Sequence, residues 1–281
     1  MVNAAGTTEP EGRREAVCGI DDGLLSVVVP VYNEAGNVVP LAEEIAGALD
    51  GRIDYEIVFV DDGSDDATGE ALAALGRRMP CLHMRRHGVN CGQSAALWTG
   101  IRAARGAWIA TLDGDGQNDP ADILTLLEVA RADDAPDGLV MVSGVRVRRQ
   151  DNWLRRLSSR LANRVRAALL HDDAPDSGCG LKLFRRDAYT ALPTFDHMHR
   201  FLPALMQRDG GAVVHVAVNH RPRLSGTSKY GFGIGSRLWV GVVDLIGVMW
   251  LRRRALPAAV DDKTGTLRRG GPPEQRGVDD E

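Results

Sequence analysis

The chain has 281 residues, 44% hydrophobic and 26% charged, with a formal net charge of −4 and a mean hydropathy of −0.18. That length suffices for one generous core or two small ones, and the composition is ordinary for a folded soluble protein. The slightly acidic balance argues against nucleic acid as a partner. The four cysteines (Cys18, Cys81, Cys91 and Cys179) are scattered without a C-x-x-C pair, which reads as free thiols in a reducing cytoplasm.

Residues 1–22 are polar and acidic and read as a disordered tail without a secretory signal. From Leu24 onward, apolar β-rich runs alternate with amphipathic helical patterns. Strands are expected at Leu24–Val31, Glu56–Val60, Cys81–Met84, Trp108–Leu112 and Leu139–Val145, and helices at Val38–Leu49, Ala67–Arg77, Ser94–Ala104 and Ile123–Ala130. Near-continuous apolar strands interleaved with helices imply an α/β fold: a mostly parallel sheet with helices on both faces. After Arg146 the pattern changes to a basic helix (Trp153–Leu170), a short strand (Leu181–Phe184), a helix near Phe201–Arg208 and a strand at Ala212–Val218. Arg146 to Arg166 contains eight arginines and one acid, Asp151, a local basicity that suits an anionic partner or a solvated helix face.

The last helical pattern, Ser236–Arg254, carries Trp239, Val242, Val243, Ile246, Met249 and Trp250 on a broad apolar face beside Arg237 and Arg252–Arg254. Its apolar stretch Leu238–Leu251 is interrupted by Asp244 and falls short of the ~18–20 residues that span a bilayer. It reads as an amphipathic helix lying on anionic lipid. The alternative is a buried core or dimer helix, which would make the chain a homo-oligomer. The glycine-rich Gly231–Ser236 follows no strand, so it reads as a hinge rather than a phosphate cradle, and residues 257–281 read as a second disordered tail.

In such sheets, ligands bind beyond the carboxyl ends of the strands. Strand one ends in Pro30-Val31-Tyr32-Asn33-Glu34, strand two in Asp61-Asp62-Gly63-Ser64 and strand four in Asp113-Gly114-Asp115-Gly116-Gln117. Three acidic clusters at one edge repel one another unless a cation or a donor-rich ligand lies among them. Asp113 and Asp115 fall on the same side of an extended segment with Gln117 in step, an oxygen set suited to Mg²⁺ or Mn²⁺. Taken alone, Asp113-Gly114-Asp115 favours a polar turn that caps the following helix, and each of the other motifs is a weak signal. Asn90-Cys91-Gly92-Gln93 opens the third helix, and Gly92 permits close backbone approach to a ligand.

These three motifs, in this order, resemble those of the family 2 glycosyltransferases, and within them the polyprenyl-phosphate branch that includes dolichol-phosphate mannosyltransferases and bacterial undecaprenyl-phosphate sugar transferases. The resemblance spans about Leu24 to Arg253. It implies a GT-A (Rossmann-like) domain over 23–235, followed by the amphipathic helix at 236–256. It also implies a nucleotide-diphosphate sugar donor (GDP-mannose or a UDP-sugar) and inversion at the anomeric carbon. Carried over by position, Pro30, Tyr32, Glu34, Asp61, Asp62, Gly92, Gln93 and Asp113 would bind the nucleotide. Asp113, Asp115 and Gln117 would hold Mg²⁺ or Mn²⁺.

The second half carries the branch: Gly144-Val145-Arg146, Arg155…Ser159, Asp176–Arg186 and Arg221-Pro222-Arg223…Gly226-Thr227-Ser228-Lys229-Tyr230. A hydroxyl acceptor needs a general base, whereas a phosphate monoester already carries ~1.5–2 negative charges and needs cations to position it. Arg155, Ser159, Arg223 and Lys229 are donors suited to that task, and with Asp115 they form the catalytic set; Arg146 would meet the acceptor or the diphosphate. Hydroxyl-transferring relatives carry an acidic base where this chain reads Ser177-Gly178-Cys179, with Asp176 close by. The expectation is a cytoplasmic enzyme, peripheral on the inner face of the cell membrane, that glycosylates a polyprenyl phosphate lipid. The rivals are the same fold acting on a sugar or protein hydroxyl, a nucleotidyltransferase, and a silent sugar-nucleotide-binding scaffold.

Overall fold

The computed structural model describes residues 23–147, 166, 169–170, 172, 174–223, 234–254, 259–261 and 266–268. Six strands and four helices occupy the first part of the chain and its return: β1 (Leu24–Val31), α1 (Val38–Leu49), β2 (Asp54–Asp61), α2 (Thr68–Arg78), β3 (Leu82–Arg86), α3 (Gln93–Ala103), β4 (Trp108–Thr111), α4 (Asp122–Arg131), β5 (Leu139–Arg146) and β6 (Lys182–Arg185). Then come α5 (Arg186–Thr190), a 3-10 turn (Met198–Phe201), α6 (Leu202–Arg208), β7 (Ala212–Val218) and α7 (Ile234–Arg253). The basic helix expected at Trp153–Leu170 lies outside the described residues except for Arg166, Leu169 and Leu170, which are helical.

The sheet runs β3-β2-β1-β4-β6-β5-β7. All its pairings are parallel except those of β6, which is antiparallel to both β4 and β5. The apolar runs are near-continuous because both faces are covered. Val27, Val29 and Val31 join one core cluster with α1, α2 and α4, while Val28 joins the other with α3, the 3-10 turn and α6. Chain order reverses across β1, since β2 lies on one side and β4 on the other, and this is the kind of switch point where a crevice opens. Because β6 runs backwards, its start (Lys182, level with Thr111 and Ser143) lies at the carboxyl edge of the parallel strands. The loop before β6 and the one after β7 are therefore delivered to the same edge as the acidic clusters.

Helix α7 starts at Ile234, so the end of the stretch expected to be a hinge is helical. Its apolar face is divided between two uses. Asp244, Leu245, Val248, Met249 and Arg252 face the domain, partly or fully buried. Asp244 Oδ2 lies 3.0 Å from His197 Nδ1, and Arg252 Nη1 donates to Ala204 O at 3.2 Å. Trp239, Val243, Ile246 and Trp250 form the opposite, exposed stripe. Met249, expected on the free apolar face, belongs instead to the domain side. Among the described residues no helix is long and apolar enough to cross a membrane. Where an irregular tail is expected after residue 257, Ala259–Asp261 and Thr266–Arg268 pair as a two-stranded antiparallel sheet.

Candidate functional site

The loop after β4 is shaped by its glycines and closed on itself. Gly114 packs so tightly on β1 that a Cβ there would stand 2.5 Å from Val31 Cγ1. Asp113 N donates to Asn118 Oδ1 at 3.2 Å, and Gln117 N donates to Asp115 Oδ1 at 3.0 Å. Along the loop, the half-buried Asp113, Asp115, Gln117 and Asp119 alternate with buried neighbours, so they share one side as the sequence pattern requires. Asp113 Oδ1 accepts a hydrogen bond from Gln93 Nε2, at the start of α3, at 3.0 Å. Burial pushes the Asp113 carboxyl above the usual range, the charge of Asp115 adds to the rise, and Lys182, Arg146 and Gln93 oppose it. Two acids crowded at a strand end, with oxygen donors on one side, fit a hard divalent cation.

The β5–β6 side packs against this pair. Thr111 Oγ1 donates to Gly180 O at 2.7 Å, and a Cβ on Gly180 would lie 2.2 Å from Asp113 Oδ2. Lys182 is buried with its ammonium bonded to Cys179 O. Burial pulls its pKa down, while Cys179, Asp113 and Asp176 favour its charge. Arg146 grips Asp176 with both prongs, Nε to Oδ2 at 2.7 Å and Nη2 to Oδ1 at 2.8 Å. Asp176, the acid close to the position where hydroxyl-transferring relatives carry their base, is thus engaged at both oxygens.

The loop after β7 closes the other flank. Asn219 donates twice to Asp122, at 2.6 and 3.0 Å, and Arg221 N donates to Gln117 O at 2.8 Å. Arg221 also spans to Glu44 Oε2 at 2.6 Å. These ties bring Arg223 between two of the acidic clusters: Nη2 lies 2.8 Å from Asp115 Oδ2 and Nη1 lies 3.5 Å from Glu34 Oε1. Glu34 Oε2 accepts from Asn37 Nδ2.

On the β2 side both aspartates carry protein donors. Asp61 Oδ1 accepts from Ser64 N at 2.9 Å, and Arg86 Nε stands 3.2 Å from Asp61 Oδ2. Asp62 accepts from Cys91 N at 2.9 Å and Gly92 N at 2.8 Å, and its Oδ1 lies 2.7 Å from His87 Nδ1. Asp62, His87 and Cys91 offer ligand atoms within 4.8 Å of one another, but these hydrogen bonds account for the grouping as a fastener of the β3–α3 loop. Pro30 and Tyr32 stand partly buried at the end of β1.

The fold therefore gathers Glu34, Gln93, Asp113, Asp115, Gln117 and Arg223 into one connected group, with Arg146 beside it and Asp61 and Asp62 behind the neighbouring loop. Arg155, Ser159 and Lys229 lie outside the described residues. The sequence reading assigned no role to Lys182, Gly180 or His199. His199 Nδ1 lies 2.7 Å from Ser94 Oγ, and burial together with the charges of Arg200, Lys182 and His197 pushes its pKa down to about 3. A lysine inside the apolar run Leu181-Lys182-Leu183-Phe184 was the one available signal, since a charge in a buried strand demands partners.

The comparisons agree with this architecture. The chain is 37% identical over 261 residues to dodecaprenyl-phosphate galacturonate synthase of Rhizobium johnstonii, covering 88% of this chain and 72% of that protein. It is 34% identical over 216 residues to undecaprenyl-phosphate 4-deoxy-4-formamido-L-arabinose transferase of Aeromonas hydrophila, covering 75% of this chain and 64% of that protein, so it spans less than two thirds of this relative. Among solved structures, Mycobacterium tuberculosis glucosyl-3-phosphoglycerate synthase with Mg²⁺ and UDP superposes with a TM-score of 0.61 at 18% identity, over 88% of this chain and 87% of that one. The same protein with Mn²⁺, UDP and glucosyl-3-phosphoglycerate gives 0.59 at 20% identity, over 82% and 80% of the two chains. That likeness shows the GT-A fold. The model of the glycosyl transferase family 2 matches residues 26–192, and with the relatives it shows that this chain is a glycosyltransferase belonging to that family.

Proposed function

We propose that the chain transfers a sugar from a nucleotide diphosphate to a polyprenyl phosphate, on the cytoplasmic face of the membrane. The observation that carries this reading is the Arg146–Asp176 clamp. It engages both oxygens of the acid best placed to serve as a base, so the residues proposed to meet the acceptor are the cations Arg155, Arg223 and Lys229. His199, pushed down to about 3, is a poor base near neutrality. An acceptor that is already an anion fits a flank of cations better than a neutral hydroxyl does. The names of the relatives pair polyprenyl phosphates with different sugars, which supports a shared acceptor class and leaves the sugar to vary.

Tyr32, Glu34 and the Asp61–Asp62 corner line the nucleoside side, with Asp62 acting through the Gly92 loop it fastens. Gln93 holds Asp113 in place. A divalent cation at Asp113, Asp115 and Gln117 would supply neutralisation of the departing diphosphate. Arg223, with Arg155, Ser159 and Lys229, would receive the acceptor phosphate. The exposed stripe of α7, from Trp239 to Trp250 and followed by Arg253 and Arg254, would rest on anionic lipid where such an acceptor resides.

The test is transfer of radiolabelled sugar, with Mn²⁺ present, to undecaprenyl phosphate, dolichyl phosphate and a simple sugar acceptor in detergent. Transfer to a lipid phosphate, persisting in Asp176→Asn, is the expected result. Transfer to the hydroxyl acceptor alone, abolished by Asp176→Asn, would overturn the acceptor and leave the family membership intact.

A further inference from the structure

Arg223 is held by Asp115 and Glu34, a contact that its proposed role at the acceptor phosphate does not account for. Asp115 Oδ1 is taken by the backbone N–H of Gln117 at 3.0 Å, and its Oδ2 by the guanidinium of Arg223 at 2.8 Å. The first partner is fixed within the same loop. The second sits at the end of a long side chain from the far flank, and its other prong reaches Glu34 at 3.5 Å. Arg223 thereby joins the ends of β1 and β4 and supplies the positive charge that two facing acidic clusters need. A divalent cation seeking the same oxygen of Asp115 meets a positive group already in contact with it. Two cations cannot share that oxygen cheaply, so one must withdraw, and the guanidinium is the one on a flexible stem.

We propose that Arg223 and the divalent cation compete for Asp115, so that cation entry releases Arg223 toward the anionic acceptor. The inference rests on the metal reading of Asp113 and Asp115 and deepens the acceptor reading. It orders the reaction: donor with its cation first, phosphate acceptor second. In the exchange a doubly charged cation replaces the singly charged guanidinium at Asp115 as Arg223 passes to the acceptor phosphate. A residue with a merely structural role would weaken metal binding when removed, whereas a competitor must strengthen it.

The experiment is a titration of the full chain with Mn²⁺ alone, read by electron paramagnetic resonance of the free ion, without sugar nucleotide or lipid. Arg223→Ala is expected to bind Mn²⁺ roughly tenfold more tightly than the wild type, the size of one charge-assisted hydrogen bond removed from the competing state. Arg223→Lys keeps the charge but not the fork that spans Glu34 and Asp115, and its affinity is expected between the two. Circular dichroism establishes that each variant is folded. Affinity in Arg223→Ala equal to or weaker than wild type would overturn the competition, as would wild-type affinity in Arg223→Lys, which would reduce the effect to general charge repulsion. Absence of Mn²⁺ binding in every protein would also overturn it, by removing the metal site. Because neither sugar nor lipid is present, failure of the acceptor reading leaves this measurement unaffected.

Discussion

Glu56 and Asp113 are both acids sunk into the same sheet, one near the amino end of β2 and the other just past the carboxyl end of β4. Glu56 is 1% exposed and fully supplied: Ser26 Oγ donates at 2.6 Å, Arg105 N at 2.6 Å and Arg105 Nε at 2.8 Å. Burial alone would raise its pKa, but these donors more than offset it and hold the carboxyl below the usual range. Asp113 has Gln93 as its hydrogen-bond donor and Asp115 as a like-charged neighbour, and it is pushed up. The contrast separates a buried charge whose partners are built into the fold from one whose partner, on the proposed reading, is a cation that binds.

The largest effect expected from this contrast is at Asp113. Asp113→Asn should cut metal-dependent sugar transfer by at least about a hundredfold, since even outer-shell partners of a metal are worth ten- to a hundredfold. Its melting temperature should not fall, because the substitution removes a crowded, half-buried charge. Thermal melting beside a transfer assay checks both halves. A variant that melts well below wild type would mean that Asp113 is structural after all, and the contrast with Glu56 would collapse.

Gly180→Ala sharpens the comparison without touching a charge. The added Cβ would stand 2.2 Å from Asp113 Oδ2 and 2.3 Å from Cγ, so the carboxylate must shift by an ångström or more. Displacements of that order cost about a hundredfold at a reacting centre, and a loss of roughly ten- to a hundredfold is expected here, with Mn²⁺ affinity weakened in parallel. Unchanged kinetics and metal binding would show that the exact placement of Asp113 does not matter.

Glu56→Gln gives the smallest effect and the opposite signature. Transfer per folded molecule should match wild type, while stability falls by about 1–2 kcal/mol for the lost charge-assisted bonds. That is a drop of roughly 3–6 °C for a domain of this size. A carboxyl whose folded pKa is depressed contributes stability above the ordinary glutamate value near 4.5 and loses it as pH falls through the folded value. The gap between wild type and Glu56→Gln, followed by melting from pH 7 down to 3, should therefore close only at the acid end. A gap that stayed constant with pH would place the loss in packing rather than in charge.

Much of this is legible in the sequence. The alternation of β-rich runs with 3.6-period patterns placed β1 at Leu24–Val31, α1 at Val38–Leu49 and β7 at Ala212–Val218 with the bounds observed, and the other early elements within a residue or two. That holds because burial on both faces leaves an unbroken apolar imprint on a strand. The alternation of glycine and acid in Asp113–Gln117 gave the shared side of the loop. The division of α7 into a docked and an exposed face was not legible, because the helix is apolar nearly all round and only the position of α6 and His197 decides which side is covered.

By itself, the sequence determined the α/β class, the edge at which the acidic clusters gather and the types of group found there, since all three follow from periodicity and from residues that stand next to strands. Which acid is satisfied and which is left wanting was decided by tertiary structure alone. Asp176 is separated from Arg146 by 30 positions, Asp115 from Arg223 by 108 and Glu56 from Arg105 by 49. Partners so far apart along the chain leave no local pattern. The antiparallel insertion of β6 and the return of β7 bring the first two pairs together, and the path from α3 into β4 brings the third.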